Sequence, residues 1–432
     1  MPRKLYIETY GCQMNVADSQ LIAGSLAELG YESTPTAAEA DVILVNTCAI
    51  RENAEVRVWG RLAQLAAHKK ERPSLTLGIV GCMAQHLKDK IQSRAPEVDL
   101  VVGPDAYRRL GDILLTDHDE PFIDVRLDKK ERYEGLDPAT DNGVTAFLTI
   151  MRGCDKFCTF CIVPFVRGRE RSLEHDEIVR AAEALAARGV KEITLLGQTV
   201  NAWRDGQREF ADLLRSLDGV AGLTRIRFTS PHPADFTPRS IAAMAACEKV
   251  MPSLHLPLQS ASDAVLERMN RGYTYAEYRR LVDRFRAEVP GLALTTDLIA
   301  GFPGETDQDF AATLACLEEL RFDAAFMFKY SPRSGTRAYE LEDDVPEAQK
   351  TARLEQIIAR QEAISAELNA AAVGQETEVL VEGRARRGNG WYGRNPQFKN
   401  TVFHRAAEPA PGELVVVQIT GSTAHTLMGE AV

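Results

Sequence analysis

Arg152-Gly153-Cys154-Asp155-Lys156-Phe157-Cys158-Thr159-Phe160-Cys161 follows an apolar strand-like run, Phe147 to Ile150, and spaces its cysteines C-x3-C-x2-C. Three thiolates in so short a loop can hold three corners of a [4Fe-4S] cluster and leave the fourth iron open to an outside ligand, as catalysis requires. A structural zinc would want a fourth nearby ligand; the nearest histidine, His175, is 14 residues past Cys161 and reads as a helix start. Chance clustering of three cysteines is the bland alternative. Beyond the loop, strand-like runs recur between helical stretches at Glu192 to Leu196, Arg225 to Thr229, Leu254 to Leu258, Ala293 to Leu298 and Ala325 to Phe328. With the run before the loop they make six strand-helix units, which predict a complete or partial barrel of parallel strands.

Ahead of the loop a different unit repeats: an apolar run, a turn holding a cysteine, then a helical stretch. The runs are Leu5 to Thr9, Val42 to Val45 and Leu75 to Val80. The helical stretches include Ser19 to Leu29 and Glu52 to Ala67, with Leu21, Ile22, Leu26 and Leu29 spaced to bury one face. This alternation predicts an open parallel sheet with right-handed crossovers. Residues 115–143 are acidic and turn-rich, with Asp117, Asp119, Glu120, Glu131, Glu134, Asp137 and Asp141, and read as a linker. Past the barrel units, Leu354, Ile357, Ile358, Ile364 and Leu368 give one helix, Pro346 to about Ala371, a buried stripe that Gly374 ends. The tail reads as short alternating strands, Glu378 to Val381 and Leu414 to Ile419 the clearest, a small β-barrel or sandwich. The expected units of this α/β chain are residues 1–118, a linker 119–143, a barrel with its connecting helix over 144–371, and an all-β tail over 372–432.

A chain of 432 residues divides into two or three domains of roughly 150 residues each, and 45% hydrophobic against 26% charged residues excludes global disorder. No run approaches the roughly 18 apolar residues of a membrane span, and Glu8 interrupts the apolar stretch near the N-terminus. No secretory signal is read, so a cytoplasmic setting with reduced thiols is expected. The eight cysteines then raise metal binding or catalysis before disulfides. Lys and Arg total 51 against 62 Asp and Glu, a net charge of −11, so any nucleic-acid partner needs a local basic patch. The tail has one: Arg384, Arg386, Arg387, Arg394, Lys399 and Arg405 stand between Gly383 and Ala407 with no acid, interleaved with Trp391, Tyr392 and Phe398. Such a patch can neutralise phosphates and stack unpaired bases; a solvated cationic face is the alternative.

Cys12, Cys48 and Cys82 lie 36 and 34 residues apart and form no local motif. Each sits one to three residues past a strand-like run, and in an open parallel sheet those ends line one crevice. Three thiols would converge there, with Gly11 and Gly81 letting backbone approach a bulky cluster. Free cysteine is also a small buried hydrophobe, and that reading stands beside the cluster. Cys247 and Cys316, in apparent helices, read as packing residues, and His255, between Leu254 and Leu256, as a satisfied core histidine. The C-terminal strand ends of the barrel carry Gly197-Gln198, Ser230, Gln259-Ser260 and Asp297 to Gly304, where active-site groups of such barrels gather; capping and turn chemistry is the alternative.

The cysteine loop is similar to the radical S-adenosylmethionine motif, including the aromatic Phe160 before the last cysteine. Gly11-Cys12-Gln13-Met14-Asn15, Asn46-Thr47-Cys48-Ala49-Ile50-Arg51-Glu52 and Gly81-Cys82 resemble the N-terminal domain of the methylthiotransferases within that superfamily. The tail resembles their small RNA-binding β-barrel, of TRAM type, with Gly393-Arg394 and Asn400-Thr401-Val402 in the expected neighbourhood. The resemblance covers nearly the whole chain. It implies a [4Fe-4S] cluster on Cys154, Cys158 and Cys161 that cleaves S-adenosylmethionine, and an auxiliary [4Fe-4S] cluster on Cys12, Cys48 and Cys82. It implies S-adenosylmethionine contacts among Phe160, Gly197, Gln198, Ser230, Gln259 and Asp297, and RNA contacts at Arg384, Arg386, Arg394 and Lys399.

Within the family, those N-terminal motifs and Leu195-Leu196-Gly197-Gln198-Thr199-Val200-Asn201-Ala202-Trp203 most resemble the branch acting on tRNA. That branch replaces the C2 hydrogen of N6-dimethylallyladenosine at position 37, beside the anticodon, with a methylthio group, using two S-adenosylmethionine molecules. The implied partners are the tRNA anticodon stem-loop and an external one-electron donor such as a flavodoxin, with no membrane and a monomeric chain. Other substrates of the same machinery, threonylcarbamoyladenosine or a ribosomal-protein aspartate, are an alternative. A non-catalytic iron-sulfur RNA-binding redox sensor is the alternative of another class.

Overall fold

The computed structural model describes residues 2–49, 52–116, 120–136, 139 and 143–432, without the side chains of 52–56. Ile50 and Arg51 of the second cysteine motif, and Asp117, Asp119, Asp137 and Asp141 of the acidic stretch, lie outside the described residues. The N-terminal part is a parallel sheet of β1 (Arg3–Tyr10), β2 (Tyr31–Ser33), β3 (Val42–Thr47), β4 (Thr76–Gly81), β5 (Leu100–Val102) and β6 (Phe122–Asp124), in the order β2-β1-β3-β4-β5-β6. The run Val42-Ile43-Leu44-Val45 is buried on both faces, the mark of a parallel strand between helix layers. Val42 and Leu44 pack with Leu21, Ile22 and Leu26 of helix α1 (Gln13–Glu28), whereas Ile43 and Val45 pack with Val58, Leu62 and Leu65 of helix α2 (Glu52–Ala66).

The acidic stretch does more than link. Its Phe122–Asp124 pairs with β5 as the sixth strand, and Asp124 is buried between Arg109 and Arg126. A three-residue strand ringed by charge gives too short an apolar signal to stand out in the sequence.

Six further parallel strands follow: Thr145–Thr149 (β7), Glu192–Leu196 (β8), Arg225–Phe228 (β9), Ser253–His255 (β10), Ala293–Ala300 (β11) and Ala324–Lys329 (β12). They form two three-stranded sheets joined by the bridge between Ile226 and Val250, the expected partial barrel. Ile193, Leu195, Leu254, Leu294 and Leu298 face the outer helices in one core. By the two-residue period of a strand, Glu192, Thr194, Leu196, His255, Thr295 and Asp297 therefore face the lumen.

The long helix Glu347–Ala370 leads to a closed five-stranded barrel, Glu376–Arg384, Trp391–Arg394, Asn400–His404, Leu414–Ser422 and Thr426–Ala431. This tail packs across the N-terminal ends of the central strands. Arg227 donates to the carbonyls of Asn395 and Pro396, each at 2.9 Å, and Lys399 pairs with Asp323 at 2.8 Å. No helix among the described residues is long and apolar enough to cross a membrane.

Candidate active site

The loop after β7 is held by backbone. Gly153 has φ +75°, and a Cβ there would meet the Arg169 carbonyl oxygen at 2.0 Å, so only glycine fits. Cys154 N–H donates to the Gly168 carbonyl at 3.1 Å and Thr159 N–H to the Met269 carbonyl at 3.0 Å, while Asn270 Nδ2 donates to the carbonyls of Lys156 and Phe157. Arg271 Nη1 lies 3.3 Å from Cys158 Sγ. Burial pushes the Cys154 and Cys161 thiols up to about 12, reinforced by charge on the neighbouring loop cysteines. Cys154 and Cys161 are thus held toward the thiol form until a cation displaces their protons.

The second trio comes from three strand ends. Cys12 caps α1 directly after β1, Cys48 follows β3, and Cys82 opens the helix Cys82–Leu87 directly after β4. The strand order reverses between β1 and β3, the place where open α/β sheets bind ligands. The three follow the ends of neighbouring strands, where Tyr10 pairs with Thr47 and Thr47 with Gly81, and Cys48 Cβ lies 2.8 Å from where a Cβ on Gly11 would stand. The Cys48 hydrogen bond, with the Arg167 guanidinium behind it, pulls the Cys12 thiol down to about 6, whereas burial pushes Cys82 up.

The glycines beside this trio serve it less directly than the sequence suggested. A Cβ on Gly11 would meet Asn15 Oδ1 at 2.4 Å and Cys48 Cβ at 2.8 Å, and one on Gly81 would meet Asn46 Oδ1 at 2.5 Å. They let the strand ends close on each other. Asn15 Nδ2 donates to Asn46 Oδ1 at 3.1 Å, and Asn46 Nδ2 donates to the Asn15 carbonyl at 2.8 Å, which locks β3 to α1.

Both trios open on one region. Cys12, with Met14 and Ala17 of α1, packs against Leu196 and Phe147 of the barrel. Ile162 and Val166, just past Cys161, pack against Ala49 and Cys82. None of the eight cysteines is in a disulfide. Among the described residues no three His, Cys, Asp or Glu side chains are gathered to hold a single metal ion. A cubane takes each thiolate on a different iron and so needs sulfurs set wider than one tetrahedral ion does. In each trio the donor set is three thiols with no fourth protein ligand among the described residues, which suits a cluster with one open corner.

The other sequence candidates ring the mouth of the barrel. Phe160 meets Phe302 edge-on at 6.4 Å. Gly197 is required by close approach, since its Cβ would meet Met151 Cγ at 2.5 Å. Both amide atoms of Gln198 are buried without a hydrogen-bond partner among the described residues. Ser230 and Gln259 hold left-handed backbone, φ +58° and +75°, strain of the kind kept at ligand sites. Asp297 Oδ1 stands 3.4 Å from His255 Nε2, and Thr295 Oγ1 2.9 Å from Nδ1; His255 is satisfied as expected, but on the lumen face rather than in the core. Cys247 and Cys316 are buried packing residues.

Sequence reading missed His232, which follows the same strand end as Ser230 and whose backbone Asn201 bonds at both ends. His232 Nδ1 accepts from Ala234 N–H at 3.3 Å, so the proton resides on Nε2, a buried donor without partner. Burial, then the charges of Arg271 and Lys156, hold its pKa down at about 2. A neutral donor and an unpaired amide at one mouth fit the polar groups of a bound cosubstrate. The motif Ser230-Pro231-His232-Pro233 was visible; that its ring turns inward was not.

In the tail, acids outside the basic segment answer its charge. Arg384 stacks on Trp391 at 3.8 Å and pairs with Glu408, Arg394 pairs with Glu382, and Arg405 with Glu413. Lys399 is held by Asp323 and Asn369. Arg386 and Arg387 are exposed on the hairpin tip. Phe398, 45% exposed, lies between the guanidinium groups of Arg227 and Arg394 at 4.7 and 4.6 Å.

Comparison with known proteins agrees with this layout. Residues 4–103 match the uncharacterized protein family UPF0004, 148–317 the radical SAM superfamily and 370–432 the TRAM domain. The chain is 44% identical to a tRNA-2-methylthio-N(6)-dimethylallyladenosine synthase of Syntrophomonas wolfei subsp. wolfei, over 99% of this chain and 98% of that protein. It is 44% identical to the protein of the same name from Porphyromonas gingivalis, over 100% of this chain and 95% of that one. Among solved structures it resembles in fold the radical S-adenosylmethionine methyltransferase TsrM from Kitasatospora setae, with TM-score 0.55 and 14% identity over 78% of this chain and 77% of that chain. With its cysteine loop, its partial barrel and full-length relatives at this identity, the chain belongs to the family of tRNA-2-methylthio-N(6)-dimethylallyladenosine synthases, radical S-adenosylmethionine enzymes that use a [4Fe-4S] cluster.

Proposed function

We propose that this chain inserts a methylthio group at C2 of N6-dimethylallyladenosine at position 37 of tRNA, with two clusters in one chain. The observation that carries the reading is the convergence of Cys12, Cys48 and Cys82 at a sheet end that opens on the same barrel as Cys154, Cys158 and Cys161. An aromatic C–H is too inert for acid-base chemistry; Cys154, Cys158 and Cys161 would hold a [4Fe-4S] cluster able to supply one-electron chemistry to S-adenosylmethionine, and Cys12, Cys48 and Cys82 would hold a second able to supply sulfur beside it. Gln198 and His232 hold the cosubstrate by their unpaired polar atoms, with Phe160, Gly197, Ser230, Gln259 and Asp297 shaping the rest of the mouth. Arg384, Arg386, Arg394 and Lys399 form the RNA side, Arg386 with its neighbour Arg387 the part exposed to phosphates. Of the expected units 1–118, 119–143, 144–371 and 372–432, the second gives its strand Phe122–Asp124 to the sheet of the N-terminal cluster domain, ahead of the radical domain 144–371 and the RNA-binding tail 372–432. The chain works in the cytoplasm as a monomer, fed by a flavodoxin-like donor.

The test offers the reconstituted enzyme, with S-adenosylmethionine and reductant, three substrates in parallel: prenylated anticodon stem-loop, its threonylcarbamoyl counterpart, and ribosomal protein. A methylthio mass gain on the prenylated RNA alone is expected. Gain on either of the others reassigns the substrate, and RNA binding without S-adenosylmethionine cleavage returns the sensor reading.

A further inference from the structure

Arg167 is the last residue of the short helix Val163–Arg167, six residues past Cys161, yet it reaches the other cysteine trio. It is 2% exposed. Its Nε donates to Cys82 Sγ at 3.2 Å and its Nη2 to Asp18 Oδ2 at 2.7 Å, while Nη1 is buried with no hydrogen-bond partner among the described residues. Its carbonyl accepts from Arg171 Nη2 at 2.7 Å, and Arg171 and Arg152 both pair with the fully buried Asp105. The seam between sheet and barrel thus buries the guanidinium groups of Arg152, Arg167 and Arg171 against Asp18 and Asp105, while Glu131, which also faces Arg152, is paired by Arg108. An uncompensated buried charge is costly, so such a seam calls for a further anion. The hydrogen bond to Cys82 marks where that anion belongs.

We propose that Arg167, held by Asp18, is a positioning residue for the second trio, which sets the charge felt by a cluster bound there. The inference rests on the two-cluster reading above. A hydrogen bond to a ligating sulfur and a nearby positive charge both favour the reduced cluster, which carries one more electron. Removing Arg167 should make that cluster harder to reduce. Neutralising Asp18 should make it easier, because the guanidinium then faces the cluster without its counter-charge.

The experiment uses the full chain carrying Cys154→Ala, Cys158→Ala and Cys161→Ala, reconstituted with iron and sulfide, so that only the second trio reports. Midpoint potentials are read by electron paramagnetic resonance with dithionite as the electron source. The parent is expected to hold about four irons. Arg167→Met should shift the midpoint to more negative values and Asp18→Asn to more positive ones, with iron content kept. Should Arg167→Met lose its iron, the sign of the Asp18→Asn shift decides. Iron-loaded variants that both titrate at the parent's potential would overturn the role of Arg167. A parent that takes up no iron would instead overturn the second cluster itself.

Discussion

The two cysteine trios reach similar donor sets by opposite routes. Cys154, Cys158 and Cys161 come from one loop whose backbone is pinned by hydrogen bonds to the Met269 carbonyl and from the Asn270 side chain, and their spacing alone announces them. Cys12, Cys48 and Cys82 come from three strands, and only the sheet order, with its reversal between β1 and β3, brings them together. The loop trio is crowded, with Cys154 and Cys161 pushed toward the protonated form; in the strand-end trio Cys12 is already biased to thiolate. A local motif carries its geometry with it, whereas a distributed one borrows geometry from the fold. The second therefore depends on everything that holds the sheet against the barrel.

The sharpest way to break this comparison is to remove one trio at a time. Cys158→Ala should abolish reductive S-adenosylmethionine cleavage while keeping about half the iron; Cys48→Ala should keep cleavage and lose methylthio transfer. Equal loss of both clusters in both variants contradicts the two-site account.

Next in size is the seam. Asp105→Asn leaves Arg152 and Arg171 buried without their carboxylate, and a destabilisation of about 3–5 kcal/mol is expected, read by denaturant unfolding. A change below about 1 kcal/mol would mean that the docking does not rest on this network.

The thiols offer a third probe. In iron-stripped protein near neutral pH, Cys12 is mostly thiolate and Cys154 and Cys161 mostly thiol. Alkylation of Cys12 should run roughly a hundredfold faster, after allowing for the weaker nucleophilicity of a low-pKa thiolate. Its rate should fall as pH drops through about 6. Equal rates at all three, by peptide mass mapping, would erase the contrast. The smallest effect lies far from both trios: Arg386→Ala with Arg387→Ala should weaken tRNA binding by roughly tenfold or less and flatten its salt dependence, without changing S-adenosylmethionine cleavage.

Much of the fold was legible because its signals are periodic. The barrel strands and the long helix fall where apolar spacing put them, except that the run Leu254 to Leu258 is strand only over Ser253–His255, and the loop cysteines needed no structure to be found. What stayed hidden is relational. Phe122–Asp124 looked like linker because three residues between acids show no period. The start of α1 at Gln13, six residues ahead of Ser19, was unread because Asn15 and Asp18 look like loop residues, yet their side chains serve Cys12 and Arg167. Arg167 stands in no sequence motif, and nothing in the chain around it names Cys82 or Asp18 as its partners. The basic tail looked uncompensated because Glu382, Glu408 and Glu413 stand just outside the segment.

Two clusters in one chain, as proposed, require twice the iron of one. Iron and sulfide analysis of the anaerobically reconstituted protein tests this directly, set beside the Cys12→Ala, Cys48→Ala, Cys82→Ala variant. About eight irons in the parent, falling to about four in the variant with S-adenosylmethionine cleavage intact, is the predicted result. About four in both would contradict it and leave the three strand-end cysteines as packing residues.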